Sequence, residues 1–228
     1  MNDILNMPKT ILVTGATGTV GGEVVKQLSR DASNYNIKAG IHSIENAKKI
    51  QQYDRVKAVQ IDYDKQEGLE SAFKDSDKLF MQNFVNFYSQ TIKEQGAFYL
   101  PAEDAKVNFV DARDIASVAV KALVDEDKNY NKTYMVTGPE GLSYHQAAEI
   151  LSNATGKKID YVNISEEETR EALKKTGMDD WLISTILGLY KLYRKGYASE
   201  VSSAVEEVTG RKATTFVEFA TDHADAFR

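Results

Sequence analysis

No cysteine occurs anywhere in the 228 residues. A disulfide framework, thiol catalysis and thiolate metal sites are therefore excluded. Histidine is nearly as scarce, and His42, His145 and His223 stand too far apart in sequence to suggest a metal cluster, so no metal is expected. With three prolines, no low-complexity run and 27% charged residues spread along the chain, disorder is not expected either. The formal charge is −6, with no clustered basic face, so nucleic acid is not an expected partner. No apolar run approaches the roughly 18 residues of a membrane span, and the opening MNDILNMPKT carries no signal-peptide pattern. The expectation is a cytoplasmic protein without a membrane partner.

What is present is enough apolar material for a sizeable core. Hydrophobic residues make up 42% of the chain, which suits one domain plus a small lobe. The run TILVT, Thr10 to Thr14, is short, apolar and β-branched, as buried strands are, and it leads into GATGTVGG. Past the glycines, Val20, Val24 and Leu28 recur at helical spacing, so the turn joins a strand to a helix. Gly15, Gly18 and Gly21 form G-x-x-G-x-x-G, a tight turn whose bare backbone lets a pyrophosphate approach the helix start. The free amides and dipole at that end attract phosphate. Candidate cofactor-binding residues are thus Gly15, Ala16, Thr17, Gly18, Thr19, Val20 and Gly21. The plainer alternative is a turn that only packs a helix on a strand; the strand before, the helix after and later elements in register favour dinucleotide binding.

Those later elements are NIKAGIHS, a second strand over Asn36 to Ser43, and VKAVQIDYD, a third over Val56 to Asp64, with a short helix in SIENAKKIQQY between them. About 20 residues past the glycines an NAD site places an acid on the ribose hydroxyls. This chain has His42 and Ser43 there, with Lys48 and Lys49 soon after, which favours NADP (NADPH) over NAD. The same residues read alone are a surface histidine and a solvated basic face. Asp62 and Tyr63 close the third strand, where doubly wound folds face the adenine. Asp64 is the better cap for the helix in KQEGLESAFK.

The blocks ILVTGATGTVGGEVVKQL, QIDYDKQEGLESAFKDSDKLF, FMQNFVNF, GAFYLPAEDAKVNFVDARDIASVAVKAL, TYMVTGPEGLSYHQAAEILS and VEEVTGRKATTFVEFATDHADAF resemble consecutive blocks of the NmrA-like branch of the atypical, extended short-chain dehydrogenases. The resemblance implies an α/β fold with a Rossmann-like doubly wound parallel sheet and a small C-terminal α/β lobe. It implies a NAD(P)-binding domain over residues 1–80 and 105–138 and a substrate or lid lobe over 81–104 and 139–228. A substrate face is implied at Asn83, Phe84, Phe87 and Tyr88, although these aromatics read alone could equally be core.

One departure from the family is large. Where the family continues from a strand like DKLF through helix, strand, helix and strand before reaching FMQNF, here Phe80 abuts Met81. Two strand-helix units at about 30 residues each are missing, about 60 residues in all. By the resemblance, that stretch carries the lysine, or the Tyr-x-x-x-Lys pair, that positions the nicotinamide ribose. The match YDRVK, Tyr53 to Lys57, leads into the third strand on the wrong side, so no catalytic residue is assigned.

The rest of the chain yields helices and caps. Asp111 is expected to cap a helix with Ile115, Val118, Ala119, Ala122 and Leu123 on one face, and KTYMVTG to form the next strand. Ser143 with Gln146, and Ser165 with Glu168, read as capping boxes, which makes His145 a first-turn surface residue. DDWLISTILGLYKLYRKGY reads as a helix apolar on more than one side, through Trp181, Leu182, Ile186, Leu189 and Tyr193, either core or a lid over an apolar substrate. By the resemblance, the leading function is an oxidoreductase passing hydride from NADPH to a small apolar acceptor such as a quinone, a reaction that needs orientation more than a strong acid. The alternatives are a non-catalytic NAD(P)-binding sensor and a shortened inactive paralogue. A homodimer covering the truncated sheet edge is a further expectation.

Overall fold

The structure, a computed structural model, describes residues 9–13, 15–31, 35–41, 48, 50, 52–53, 55–60, 79–129 and 132–228. In chain order the elements are β1 (Lys9–Val13), α1 (Thr19–Asp31), β2 (Tyr35–Ile41), β3 (Val56–Gln60), β4 (Leu79–Phe80), a π-helical turn (Phe84–Tyr88), α2 (Ser89–Gln95), β5 (Ala97–Leu100), β6 (Lys106–Val110), α3 (Ala112–Val124) and α4 (Glu126–Asn129). Then come β7 (Gly141–Ser143), α5 (Tyr144–Thr155), β8 (Asp160–Asn163), α6 (Glu166–Lys175), α7 (Asp180–Arg194), α8 (Ala204–Thr209), α9 (Phe216–Asp222) and a 3₁₀ turn (Ala224–Ala226). The class is α/β with parallel ladders, as expected. Two compact units form from interleaved segments. The first draws on the described residues of 1–76, 112–134 and 204–211, the second on those of 77–111, 135–203 and 212–228.

In the first unit β1, β2 and β3 lie side by side in that order, both pairs parallel, with Ile11 opposite Ile37 and Ala39 opposite Ala58. Parallel strands need both faces covered, and the apolar stripes of two helices contribute cover. From α1 come Val24, Val25 and Leu28; from α3 come Ala116 and Val120, all buried with Ile37, Ala39 and Ile41. Of the expected face of α3, Val118 is buried and Ala119 packs against the core, but Leu123 is exposed. The i, i+4, i+8 row Ala112, Ala116, Val120 supplies the buried side, and its small residues let helix backbones approach. Hydrogen bonds tie the helices at the margin: the Gln27 side chain donates to the Arg113 carbonyl at 3.1 Å and accepts from Ser117 at 2.9 Å. The buried Asp114 carboxylate is held by Arg211 at 2.7 Å. The second and third strands end earlier in the described residues than the sequence suggests. Residues 42–43 and 61–64, the helix in KQEGLESAFK and most of SIENAKKIQQY lie outside the described residues.

The second unit is built on rings. β4 pairs parallel with β6, β6 pairs antiparallel with β7, and β5 pairs parallel with β8. Directly after the Phe80–Met81 junction the chain enters the π-helical turn, which places Phe84 at the centre of an aromatic core. Its ring meets Phe98 at 5.5 Å, Phe109 at 5.4 Å, Phe216 at 5.0 Å and Tyr88 at 5.5 Å, all edge to face. Each such pair contributes about 0.5–1.5 kcal/mol beyond area burial. Tyr144, Tyr161, Tyr190, Tyr193, Phe219 and Phe227 belong to the same cluster.

The expected strand in KTYMVTG does not form; residues 132–138 join no ladder. Side chains take the ladder's place. The Asn108 amide brackets Gly138, accepting from its amide at 2.6 Å and donating to its carbonyl at 3.1 Å, while Thr137 accepts from the Ser202 amide at 2.8 Å. Gly138 lies so close to β6 that an added Cβ would stand 2.0 Å from the Phe109 carbonyl oxygen. The two expected capping boxes are present at Ser143 with Gln146 and Ser165 with Glu168, and a third joins Thr215 to Glu218. His145 sits in the first turn of α5, largely exposed, edge-on to Tyr161 at 4.8 Å. α7 is apolar on two sides but buried on one. Ile183, Leu187, Tyr190 and Tyr193 are inside, whereas Trp181 and Leu182 are exposed. No described helix is long and apolar enough to cross a membrane.

Candidate functional site

The glycine turn begins two residues past the described end of β1. Gly15 adopts φ +59°, a left-handed conformation that only glycine takes at little cost, and its carbonyl accepts the amide of Gly18 at 2.9 Å. The amide of Ala16 donates to the carbonyl of Gly40 at 3.1 Å, and the Ala16 methyl is buried, so the turn is moored to the end of β2. A Cβ on Gly18 would come within 3.2 Å of the Gly15 carbonyl. The first i→i−4 bond of the helix runs from Gly22 to Gly18 at 2.8 Å. The amides of Thr19, Val20 and Gly21 therefore precede it at the positive end of a 13-residue helix, where an anion is favoured. Gly15, Gly18 and Thr19 are exposed, so this end is reachable.

Seven of the twelve cofactor residues expected from the sequence, Gly15 to Gly21, thus lie together on one turn and helix end. Lys48 is exposed. His42, Ser43, Asp62 and Tyr63 lie outside the described residues. Gly40, whose carbonyl anchors the turn, escaped the sequence reading; a second small residue near the end of the next strand was its only signal.

The four expected substrate residues share one helical turn in the second unit but not one environment. Phe84 is 0% exposed and spends its ring on the core. Phe87 is 70% exposed, and Asn83 and Tyr88 are half-buried. The Tyr88 and Tyr190 hydroxyls lie 3.4 Å apart. Burial pushes both above the ordinary tyrosine value, and the hydrogen bond acts in opposite directions on the two. Tyr144 is raised well above that value, first by burial and then by the neighbouring phenols, and its hydroxyl has no hydrogen-bond partner among the described residues. Tyr161, pushed by burial to about 12, donates to the Leu100 carbonyl and accepts from the Ala102 amide. This group of phenols, on α5, α7, β8 and the π-helical turn, has no regular spacing by which sequence reading would find it.

Among the described residues no group of three His, Asp or Glu side chains could hold a metal ion. The buried acids serve structure: Asp111 accepts from the Gln82 amide at 2.9 Å, and Asp114 pairs with Arg211. What the first unit offers chemically is an anion seat made of backbone.

Comparison with known proteins bears on both units. The NmrA-like family model matches residues 7–95 and, as a second piece, 76–222, and the pieces meet in a stretch containing Phe80 and Met81. An NAD(P)H azoreductase from Xenophilus azovorans is 45% identical over 148 residues, 65% of this chain and 51% of that protein. The chain thus spans about half the length of that curated relative. Prestalk A differentiation protein A from Dictyostelium discoideum is 22% identical over 282 aligned positions, covering 96% of this chain and 93% of that protein. Since 282 positions exceed 228 residues by 54, at least that many stand opposite gaps in this chain. Among solved structures, the NADPH-dependent quinone oxidoreductase from Escherichia coli complexed with NADPH superposes with TM-score 0.71 at 20% identity, covering 92% of this chain and 98% of that one.

Proposed function

The chain belongs to the NmrA-like family, and from that premise we propose that it binds NAD(P) at the glycine turn and works as an NAD(P)H-dependent oxidoreductase on a small, flat, apolar acceptor such as a quinone. The observation that carries the reading is the turn itself. Gly15 at φ +59°, with nothing within 4 Å of its Cβ position, and Gly18, where a Cβ would stand 3.2 Å from the Gly15 carbonyl, leave room for a pyrophosphate against the helix amides of Thr19, Val20 and Gly21. When bound, the nicotinamide supplies a hydride. The chain's own part is to hold the phosphates with Gly15–Gly21 and to prefer a 2′-phosphate through His42, Ser43 and Lys48, since His42 and Ser43 rather than an acid stand directly after Ile41. Asp62 and Tyr63 cover the adenine. Asn83, Phe87 and Tyr88 contact the acceptor, with Phe84 beneath them as packing. In this reading residues 1–80 and 105–138 form the nucleotide domain and 81–104 and 139–228 the acceptor lobe. The names of the azoreductase and the quinone oxidoreductase support reduction of such an acceptor.

The alternative, a non-catalytic NAD(P) sensor, is not favoured by the names of these relatives. Calorimetric titrations of NADPH, NADH and 2′,5′-ADP, beside an NADPH-oxidation assay with quinones and azo compounds, separate the two. Tighter binding of NADPH than NADH is expected. 2′,5′-ADP is expected within about tenfold of NADPH, about 1.4 kcal/mol, because the adenosine end supplies most of the contacts. Binding with acceptor-dependent oxidation supports the reductase, binding without it the sensor, and no binding of any nucleotide rejects both.

A further inference from the structure

We propose that the outer face of α7 joins two copies of this chain, the helices crossing antiparallel about a twofold axis midway along their length. The inner face of α7 is used: Ile183, Leu187 and Tyr190 are buried. On the opposite side Trp181, Thr185, Gly188 and Leu192 follow one another at intervals of four, three and four, the spacing of a two-helix seam. Trp181 is 73% exposed and Leu192 37%, the two ends of an apolar strip with small residues between them. Tyr197, also exposed, extends the strip beside Leu192, to whose carbonyl its amide donates at 3.2 Å.

Gly188 is the telling position. A glycine in the middle of a helix weakens it relative to alanine, and nothing stands within 4 Å of a Cβ built there. Nothing among the described residues requires the missing side chain. A second helix crossing at that point would.

The strip complements itself. Trp181 with Leu192, and Thr185 with Gly188, are both centred between Ile186 and Leu187, so one twofold axis there pairs each large residue with a large one and each small with a small. The charges agree. Asp180 stands at the start of α7 beside Lys174, and Lys191 and Lys195 at its end, Lys191 beside Glu166, while Asp179 caps the helix and Arg194 is turned inward onto Glu166. An antiparallel crossing sets each acidic end against the partner's basic end and opposes the two helix dipoles. A parallel crossing would set like against like, and an anionic lipid surface would meet the acidic end.

Trp181 is the chain's only tryptophan, so its fluorescence reports directly on this face. Light scattering and emission spectra are measured over a dilution series of the full chain. The expected result is a dimer at high concentration that dissociates on dilution, with Trp181 emission moving to longer wavelength along the same curve. Gly188→Leu, which fills open space, should leave the circular dichroism unchanged and raise the dimer dissociation constant at least tenfold. Leu192→Glu should do likewise while keeping the reporter. A monomer at every concentration would overturn the proposal, as would a dimer indifferent to both variants or one whose Trp181 emission stays that of an exposed indole. A monomer whose emission shifts only on adding anionic vesicles would overturn it too, in favour of a lipid surface.

Discussion

Around α1 the first unit packs Val24, Val25, Leu28, Ile37 and Ala39, small aliphatic side chains beneath a turn whose working parts are backbone amides. Around Phe84 the second unit packs Phe98, Phe109, Phe216 and Tyr144, large rings buried in its core. The contrast concerns what each unit can change without losing its fold. In the first, the candidate site depends on glycines that contribute little to the core, so binding and stability are separable. In the second, neighbours on one turn have different duties: Phe84 holds the unit together, and Phe87 is left outside it.

The sharpest way to break that contrast is at those two rings. Phe84→Ala should cost about 3–5 kcal/mol, since it removes the ring on which four others converge. Phe87→Ala should change stability by less than about 0.5 kcal/mol. Urea unfolding of the two variants checks this, and similar losses at both positions would erase the distinction. Next in size is Gly138→Val. With a Cβ site 2.0 Å from the Phe109 carbonyl, β6 has to move, at an expected cost of about 3 kcal/mol in the same assay.

A smaller effect of opposite sign is expected from the phenols. Tyr144→Phe removes a hydroxyl that is buried without a partner among the described residues and should stabilise the protein by about 1 kcal/mol. Burial holds Tyr88, Tyr144 and Tyr190 in the neutral form, above the ordinary value of 10.0. Their contribution is therefore complete below pH 10 and is lost as the pH rises past that value toward the folded-state values. Thermal melts between pH 8 and 11 should show stability falling above about pH 10, and the fall should be shallower in Tyr144→Phe. A melting curve flat across that range would contradict it.

The same contrast explains what could be read in advance. The strand, turn and helix around Gly15 were legible because backbone sites leave glycines at fixed spacing, and both capping boxes were legible because the cap and its partner are three residues apart. The strand expected in KTYMVTG was not correct, because pattern cannot show that the Asn108 side chain would take over the hydrogen bonds of Gly138. Leu123 and Trp181 were assigned by helical period alone, which marks apolar faces without saying which face meets the core. The phenol group was invisible because its members come from four elements distant in sequence, and only packing brings them near one another.

The central claim is that the glycine turn is where the nucleotide binds, and one pair of titrations tests it. NADPH is titrated calorimetrically, at one salt concentration, into the unmodified chain and into Gly18→Ala, whose added methyl occupies the phosphate approach 3.2 Å from the Gly15 carbonyl. That contact asks the turn to give by a few tenths of an ångström, so a melting point within a few degrees of the parent is expected, corresponding to about 1 kcal/mol or less. The account predicts binding by the parent and at least a tenfold loss in the variant. Equal affinity in the two proteins would contradict it and return the motif to a turn that only packs a helix on a strand.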